Sequence, residues 1–524
     1  MILDVRDKVF LINAGAYVSD GLYTEYGKIP PVFLPLQGKP LLAHQLAAAS
    51  NYAKIVLTLP DDYIMNLAQR RLLEKFNVTL IYTDPKYSLG FSIAFTILSL
   101  GLSDKTLDML HGDTYFKDIP DVVDTYSVSR YKDNYNWTKS SVNEAYAISG
   151  FFSFSDQGHL LKALASSDFD FPDALSVYRE NKHMTETILD DWFDFGHINT
   201  FYRSKAKLTT ERVFNNLTID PFTVTKFSSK KKKLMSELSW ITGVPADIKY
   251  FTPKVYDYHE NNEEFSYCIE YYYLSTLAEL HLYSRHDHLV WERIISSCFS
   301  FLNRCLQHTS ADFHLDNSEK LYLFGKSQER LEIFKMERDF DLEHEINING
   351  VIMPSINDLL KEVNSLITPL GHQYLGVAHG DFCFSNIFYD FKSDTIKLID
   401  PRGILPDGTT SYYGDITYDI LKFGHSAVGH YDFIVSGHYD LDRISKYNFR
   451  FSLFVDKQFD VVGPIFIKYL IGFDATLAEE LYPRLVHLFL SMLPLHSDSE
   501  DRQFALLVNA YRIFAEYKNI DLKC

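Results

Sequence analysis

The chain is poor in cysteine: 524 residues carry only Cys268, Cys298, Cys305, Cys383 and Cys524, with no CxxC spacing. An odd and scattered set excludes a disulfide framework and a zinc site, and it suits reduced thiols in the cytoplasm. Positive charge is also scarce. The 51 Lys and Arg stand against 69 Asp and Glu, a net charge of −18, which argues against a nucleic-acid or anionic-membrane binder because both need clustered cations. No apolar stretch reaches about 18 residues, so no membrane span is expected. The opening MILDVRDKVFLINAG has an apolar run too short and too charged for a signal peptide. There is no Pro/Gly/Ser-rich linker, no internal repeat and no low-complexity tract beyond Lys230–Lys233, a run that reads as a solvated helix start.

What is present is the composition of a globular protein, 46% hydrophobic and 23% charged, too long for one core and so expected to form two or three domains. The 35 Tyr and 40 Phe read as core filling rather than as an aromatic cage. Residues 1–110 alternate strand and helix signals: strands at KVFLINAG (8–15), KIVLTLP (54–60), VTLIYT (78–83) and LDMLHGD (107–113) are interleaved with helices at 40–50, 61–77 and 88–101. This alternation implies βαβ units and a mainly parallel sheet, which binds ligands at the carboxyl ends of its strands. A boundary is expected near 205–210, dividing the chain into 1–207 and 208–524. The second part starts with strands at 211–229, a helix from Lys230 and a hairpin over 254–273. From Ser275 onward helices are expected to dominate, except around two motifs.

Those motifs are HGDFCFSN (His379–Asn386) and, fourteen residues after Asn386, the Asp400 of IKLIDPRG. Phosphoryl transfer asks little covalent chemistry of a protein. It needs a base to orient a hydroxyl and oxygen donors to hold Mg²⁺ on the phosphates. Asp381 suits the first task, Asn386 and Asp400 the second. Upstream, Lys226 closes the apolar run FTVTK and Glu237 follows eleven residues on. On their own these would pass for surface residues; ahead of the two motifs, they read as a strand Lys and helix Glu that position ATP phosphates. The segment EYYY (270–273) fits a connection between lobes.

These motifs resemble the aminoglycoside phosphotransferase and choline kinase family, which shares the protein-kinase-like fold, over roughly 215–440. The resemblance implies an α+β domain with Asp381 as catalytic base, Asn386 and Asp400 as Mg²⁺ ligands, Lys226 on the phosphates and His379 as an orienting residue. Protein kinases have Arg where Gly380 stands, and their Gly-rich loop and APE segment are missing, so the implied acceptor is a small alcohol, amino alcohol or sugar. Asp419 is expected to cap a helix or brace the catalytic loop, and Asp415 to approach substrate.

In the first part, LINAG (11–15), FLPLQGKPLLAHQL (33–46), HGD (111–113) and DDWFDFG (190–196) follow in order. A Gly turn after the first strand lets backbone N–H groups approach a phosphate. Asp113 and Asp194, from distant strand ends, are placed to share Mg²⁺ over an attacked α-phosphate. The order is similar to the nucleoside-triphosphate transferase family of sugar-phosphate and phosphocholine nucleotidylyltransferases, over about 1–205. That resemblance implies a Rossmann-like α/β fold, Gly15 in the phosphate loop and a cation near the LxP turn. Two departures stand out. The loop reads Ala14-Gly15-Ala16-Tyr17-Val18, without the family's second Gly and its Arg, and the family's Lys falls on Pro31, leaving Lys28 as the nearest cation.

Together the resemblances imply a bifunctional enzyme. One part would phosphorylate a small hydroxyl compound with MgATP. The other would couple that phosphate to a nucleotide, CTP first, giving an activated precursor for a surface or capsule polysaccharide. A non-catalytic, nucleotide- or partner-binding first part is the alternative. The acceptor and the oligomeric state are not legible. PRLVHLFLSMLPLH (483–496) is expected to be core or a dimer face, and pocket-lining residues are expected within 420–520.

Overall fold

The computed structural model describes residues 8–101, 104–131, 133–140, 142–212, 217–310, 313, 318–368, 372–405, 407–456, 458 and 460–524. The chain divides into two compact units, one of Met1–Thr209 with Tyr283–Arg285, the other of Thr210–Leu282 with His286–Cys524. The expected strand region from 211 falls partly on 213–216, outside the described residues.

The first unit is built on a seven-stranded sheet. Its order is Thr185–Ile188, Thr125–Arg130, Tyr146–Phe154, Thr106–His111, Lys8–Asn13, Lys54–Pro60, Thr79–Thr83. All neighbours pair in parallel except the two flanking Tyr146–Phe154, which runs antiparallel to both. The expected mainly parallel α/β sheet is therefore what forms. Its strands are apolar because both faces are covered: one face packs Leu11, Ile93, Met109 and Phe152, the other Phe10, Leu42, Leu57 and Leu110. Helices Leu41–Ala48 and Leu89–Leu100 sit close to where expected. The helix expected over 61–77 is shorter, Leu67–Lys75. Its start is set by a reciprocal capping box between Asn66 and Gln69, while Asp61 still bonds along the sheet, its N–H donating to Thr83 O (3.0 Å).

The second unit opens with an antiparallel four-stranded sheet, order Leu217–Ile219, Thr223–Ser228, Phe265–Glu270, Val255–Glu260, against which helix Lys231–Gly243 packs. The residues 271–274 then lead to Ser275–Thr276, as the expected connection requires. Helices follow, among them His288–Leu306, Ser318–Arg338, Ile416–Ala427, Ala475–Met492 and Glu500–Tyr517, so the unit is α+β as expected. Helical dominance is incomplete, however. Ile346–Ile348, Val351–Met353, Tyr439–Ser445 and Asn448–Leu453 form a further four-stranded sheet. The alternation of apolar and polar residues in NFRFSL buries Phe449, Phe451 and Leu453 on one face, a period-2 signal that outweighs the helical neighbourhood. The stretch 483–496 is core: Leu485, Val486, Phe489 and Leu490 are fully buried or nearly so.

Candidate functional site

Strand register explains why the motifs of the second unit converge. Strands Ile387–Asp390 and Thr395–Leu398 form a hairpin with Ile387 opposite Leu398. Asn386 therefore leads into one strand where Ile399-Asp400 leaves the other, and the Ile399 N–H donates to Asn386 O (3.1 Å). The loop before it is held from behind. Both backbone N–H groups of His379 and Gly380 donate to the buried Asp419 carboxylate, each at 2.7 Å. Burial pushes that carboxyl up to about 8, against the pull of the two N–H donors. Asp419 is thus the brace of the catalytic loop, and Asp415 is the cap of helix Ile416–Ala427 through the Thr417 N–H (2.8 Å).

His379 is fully buried. Its Nε2 lies 3.0 Å from Ile399 O, and its Nδ1 accepts from the Asp381 N–H at 3.3 Å. Burial lowers the imidazole to about 4, so a neutral ring with its proton on Nε2 satisfies both bonds. The ring ties the loop to the strand before Asp400, which is an orienting place. Gly380 has φ +79°, and a Cβ there would meet Arg402 Cβ at 2.6 Å. This close approach is the physical reason a side chain such as the protein-kinase Arg has no room.

Asp381, Asn386 and Asp400 line one cavity of about 510 Å³. The Asn386 amide donates to Asp381 O (2.9 Å) and Oδ2 (3.1 Å). Asp400 adopts φ +59°, an uncommon conformation for a non-glycine residue, and accepts an ion pair from Lys226. Lys226, on strand Thr223–Ser228, also reaches Glu237 Oε2 at 3.3 Å, and Glu237 accepts from Tyr267 Oη at 2.8 Å. Burial alone would lower the Lys226 ammonium, but Asp400 and Glu237 outweigh it and hold it raised. The five residues singled out for phosphate and metal chemistry are therefore brought together.

One participant escaped the sequence reading. Lys422 Nζ lies 2.9 Å from Asp381 Oδ1, on the helix that also carries Asp419. Burial would raise Asp381, yet Lys422 outweighs it and holds the carboxyl below its ordinary range; in turn Asp381 overcomes the desolvation of Lys422 and keeps its ammonium raised. The signal available in sequence was the three-residue step from Asp419 to Lys422, which puts both on one helix face.

In the first unit the same logic places Asp113 beside Asp194. Strand Lys8–Asn13 is parallel to Thr106–His111 with Asn13 opposite His111, and the Gly112 N–H donates to Asn13 O (2.8 Å). The His111-Gly112-Asp113 turn thus sits at the carboxyl end of the sheet, next to the Ala14-Gly15 turn. Thr114–Phe116 pairs antiparallel with Trp192–Asp194, Thr114 opposite Asp194, and the Phe195 N–H donates to Asp113 O (2.8 Å). A Cβ on Gly196 would lie 2.5 Å from Asp113 Oδ2 and 3.3 Å from Asp194 Oδ1, so both carboxylates crowd one point. Burial, then the Asp194 charge, raises Asp113 to about 6. His197 Nδ1 lies 2.9 Å from Asp194 Oδ2, and its ring stacks on Tyr135. Burial would lower its imidazole, but Asp194 keeps it raised, so His197 is a hydrogen-bonded, packed residue. Ser88 caps helix Leu89–Leu100.

The cations of this site are sparse. Gly15 abuts the Thr83 hydroxyl. Lys28 is exposed and turned to Asp62 Oδ2 at 2.6 Å, with its ammonium 4.5 Å from the Tyr17 ring centre. Among the described residues no three His, Cys, Asp or Glu side chains are grouped to hold a metal alone. Paired oxygen donors of the kind seen in both units suit Mg²⁺, which takes one or two carboxylates together with substrate phosphates. Among the described residues no helix is long and apolar enough to cross a membrane.

No family model matches the chain, and no curated protein matches it. Among solved structures it is similar to an aminoglycoside-3′-phosphotransferase of type VIII, at 14% identity over 51% of this chain and 84% of that one, TM-score 0.32. It is similar also to 4-diphosphocytidyl-2C-methyl-D-erythritol synthase from Anaerococcus prevotii DSM 20548, at 12% identity over 39% of this chain and 100% of that one, TM-score 0.27. A third is HddC from Yersinia pseudotuberculosis, at 16% identity over 38% and 98%, TM-score 0.28.

Proposed function

We propose that the chain is a bifunctional transferase working in the cytoplasm, with a small-molecule kinase over 208–524 and a nucleotidyltransferase over 1–207. The observation that carries the kinase reading is the convergence of Asp381, Asn386 and Asp400 on one cavity, with Lys226 and Glu237 behind Asp400. Asp381 accepts the proton of an acceptor hydroxyl; its oxygen attacks the γ-phosphorus, and ADP leaves. Lys422 keeps Asp381 ionised for this. Lys226, positioned by Glu237, meets the phosphates, and Asn386 with Asp400 would hold a Mg²⁺ that neutralises their charge. His379 and Asp419 fix the loop.

Asp113 and Asp194 would hold a second Mg²⁺ over the α-phosphate of CTP or another nucleoside triphosphate. The Gly15 turn offers backbone N–H groups, and Lys28 is the cation proposed for the phosphates. The acceptor phosphate made by the kinase attacks that α-phosphorus and pyrophosphate leaves. The product is a nucleotide-activated head group of the kind consumed in building surface polysaccharide. ADP formation from ATP in a screen of small alcohols, lost in Asp381→Asn, tests the first step; unchanged turnover in that variant removes Asp381 as base. Pyrophosphate release from CTP with the phosphorylated hit, lost in Asp113→Ala, tests the second.

The engagement of Lys28 by Asp62 and Tyr17 favours one other reading, a first unit that binds a nucleotide or a partner without turnover. Nucleotide binding without pyrophosphate release in the wild-type chain would establish it.

A further inference from the structure

Asp381 and Lys422 offer the cavity two different contacts side by side. Lys422 Nζ lies 2.9 Å from Asp381 Oδ1, and both residues line the cavity. The pair forms because Lys422 follows Asp419 by three residues on helix Ile416–Ala427, and Asp419 holds the His379-Gly380 turn just before Asp381. The Lys422 side chain is only 13% exposed, so packing limits where its ammonium can go. Among the described residues Asp381 is the acceptor of that ammonium. An ammonium has three N–H donors, which leaves two for the cavity. The other Asp381 oxygen, Oδ2, accepts from the Asn386 amide at 3.1 Å. Each carboxylate oxygen can accept two bonds, so Oδ1 keeps a place for a hydroxyl beside Lys422.

The ion pair is neutral as a whole and presents an acceptor next to a donor. An incoming hydroxyl donates to Asp381 Oδ1. An oxygen on the adjacent carbon then falls beside Lys422 Nζ, because the two oxygens of a gauche 1,2-diol stand about one hydrogen-bond length apart, as do Oδ1 and Nζ. A 1,3-diol reaches that spacing only in a crowded conformer. An ammonium on the adjacent carbon would meet Lys422, and a carboxylate would bring a second negative charge to Asp381; like charges so placed repel. Farther along the wall, Tyr431 Oη and His496 Nε2 lie 3.3 Å apart. Burial holds the His496 imidazole below its ordinary value, so these two side chains are neutral and suit further hydroxyls. We infer, resting on the kinase reading, that Lys422 selects the acceptor: its reacting end is an uncharged 1,2-diol, of a polyol or sugar, whose attacked hydroxyl faces Asp381 while the neighbouring hydroxyl accepts from Lys422.

The test follows ADP formation from MgATP by the full-length protein with small probes that differ at one position. Glycerol and ethylene glycol are phosphorylated. 1,3-Propanediol, which lacks only the middle hydroxyl of glycerol, loses about 10- to 100-fold in kcat/KM. Ethanolamine and glycolate, which put an ammonium or a carboxylate where ethylene glycol has its second hydroxyl, fall behind ethylene glycol. In Lys422→Met, assayed above the acid limb of its pH profile, the preference for glycerol over 1,3-propanediol disappears; in Lys422→Gln, which keeps a neutral donor, part of it remains. This preference is the readout because a weakened base slows both probes alike and cancels from their ratio. MgAMP-PNP binding shows that each variant is folded, and the Gln variant decides if the Met variant is not. No turnover of either 1,2-diol, a wild-type enzyme indifferent to the middle hydroxyl, a preference untouched by the Lys422 substitutions, or better turnover of ethanolamine or glycolate overturns the inference. The kinase reading falls separately, if MgAMP-PNP does not bind or if its binding is untouched by Asp400→Asn.

Discussion

On the proposed reading both units hold oxygen donors beside a nucleotide's phosphates, with unequal completeness. In the second unit each carboxylate that lines the cavity has a cation within reach: Lys226 for Asp400 and Glu237, Lys422 for Asp381. In the first unit Asp113 and Asp194 crowd each other, and the nearest side-chain cation proposed for the phosphates is turned to Asp62. A paired site is pre-organised and stays charged. A site of adjacent carboxylates depends on its metal to relieve repulsion, so its chemistry should be the more sensitive to Mg²⁺.

That contrast can be broken in four places. The largest effect is expected from Asp381→Asn, which lowers the kinase kcat by about 10²- to 10⁴-fold and leaves pyrophosphate release from CTP plus a supplied acceptor phosphate intact; loss of both activities would show that the sites are not independent. Next, Asp113→Ala or Asp194→Ala removes one of two metal donors and lowers nucleotidyl transfer by about 10²- to 10³-fold, with ADP formation unaffected. Third, Lys422→Met leaves the half-buried Asp381 without its cation. The base must be deprotonated to act, and removing the ammonium raises its pKa, so the acid limb of the kinase kcat/KM profile moves up by about 1–3 pH units; an unmoved limb would deny Lys422 this role. The smallest effect belongs to Lys28→Ala. Its pair with Asp62 is exposed and screened, so its loss should raise the KM for CTP by only about 3- to 10-fold; an unchanged KM would take Lys28 off the phosphates.

Much of this architecture was legible in sequence because its signals are local. The parallel sheet followed from four apolar runs separated by helix formers, and the meeting of Asp381, Asn386 and Asp400 in one cavity from fixed spacings within HGDFCFSN and LIDPRG. What escaped depends on partners distant in the chain or on overlooked turn chemistry. Lys422 acquires its place only when Asp381, 41 residues earlier, folds against its helix. The added sheet was announced by the Asn349-Gly350 pair, where both φ are positive (52° and 86°), a hairpin signal lost among helical neighbours. The 61–77 helix is shorter than its composition predicts because the Asn66–Gln69 capping box supplies its start.

The most direct measurement is a crystal structure of the full-length protein grown with MgAMP-PNP. The account predicts one metal–nucleotide complex in the second unit, with Asn386 and Asp400 oxygens on the metal at about 2.0–2.1 Å and the Asp381 carboxylate facing the γ-phosphate across the acceptor cavity. A nucleotide bound elsewhere in that unit, or Asn386 and Asp400 turned away from its metal, would contradict it.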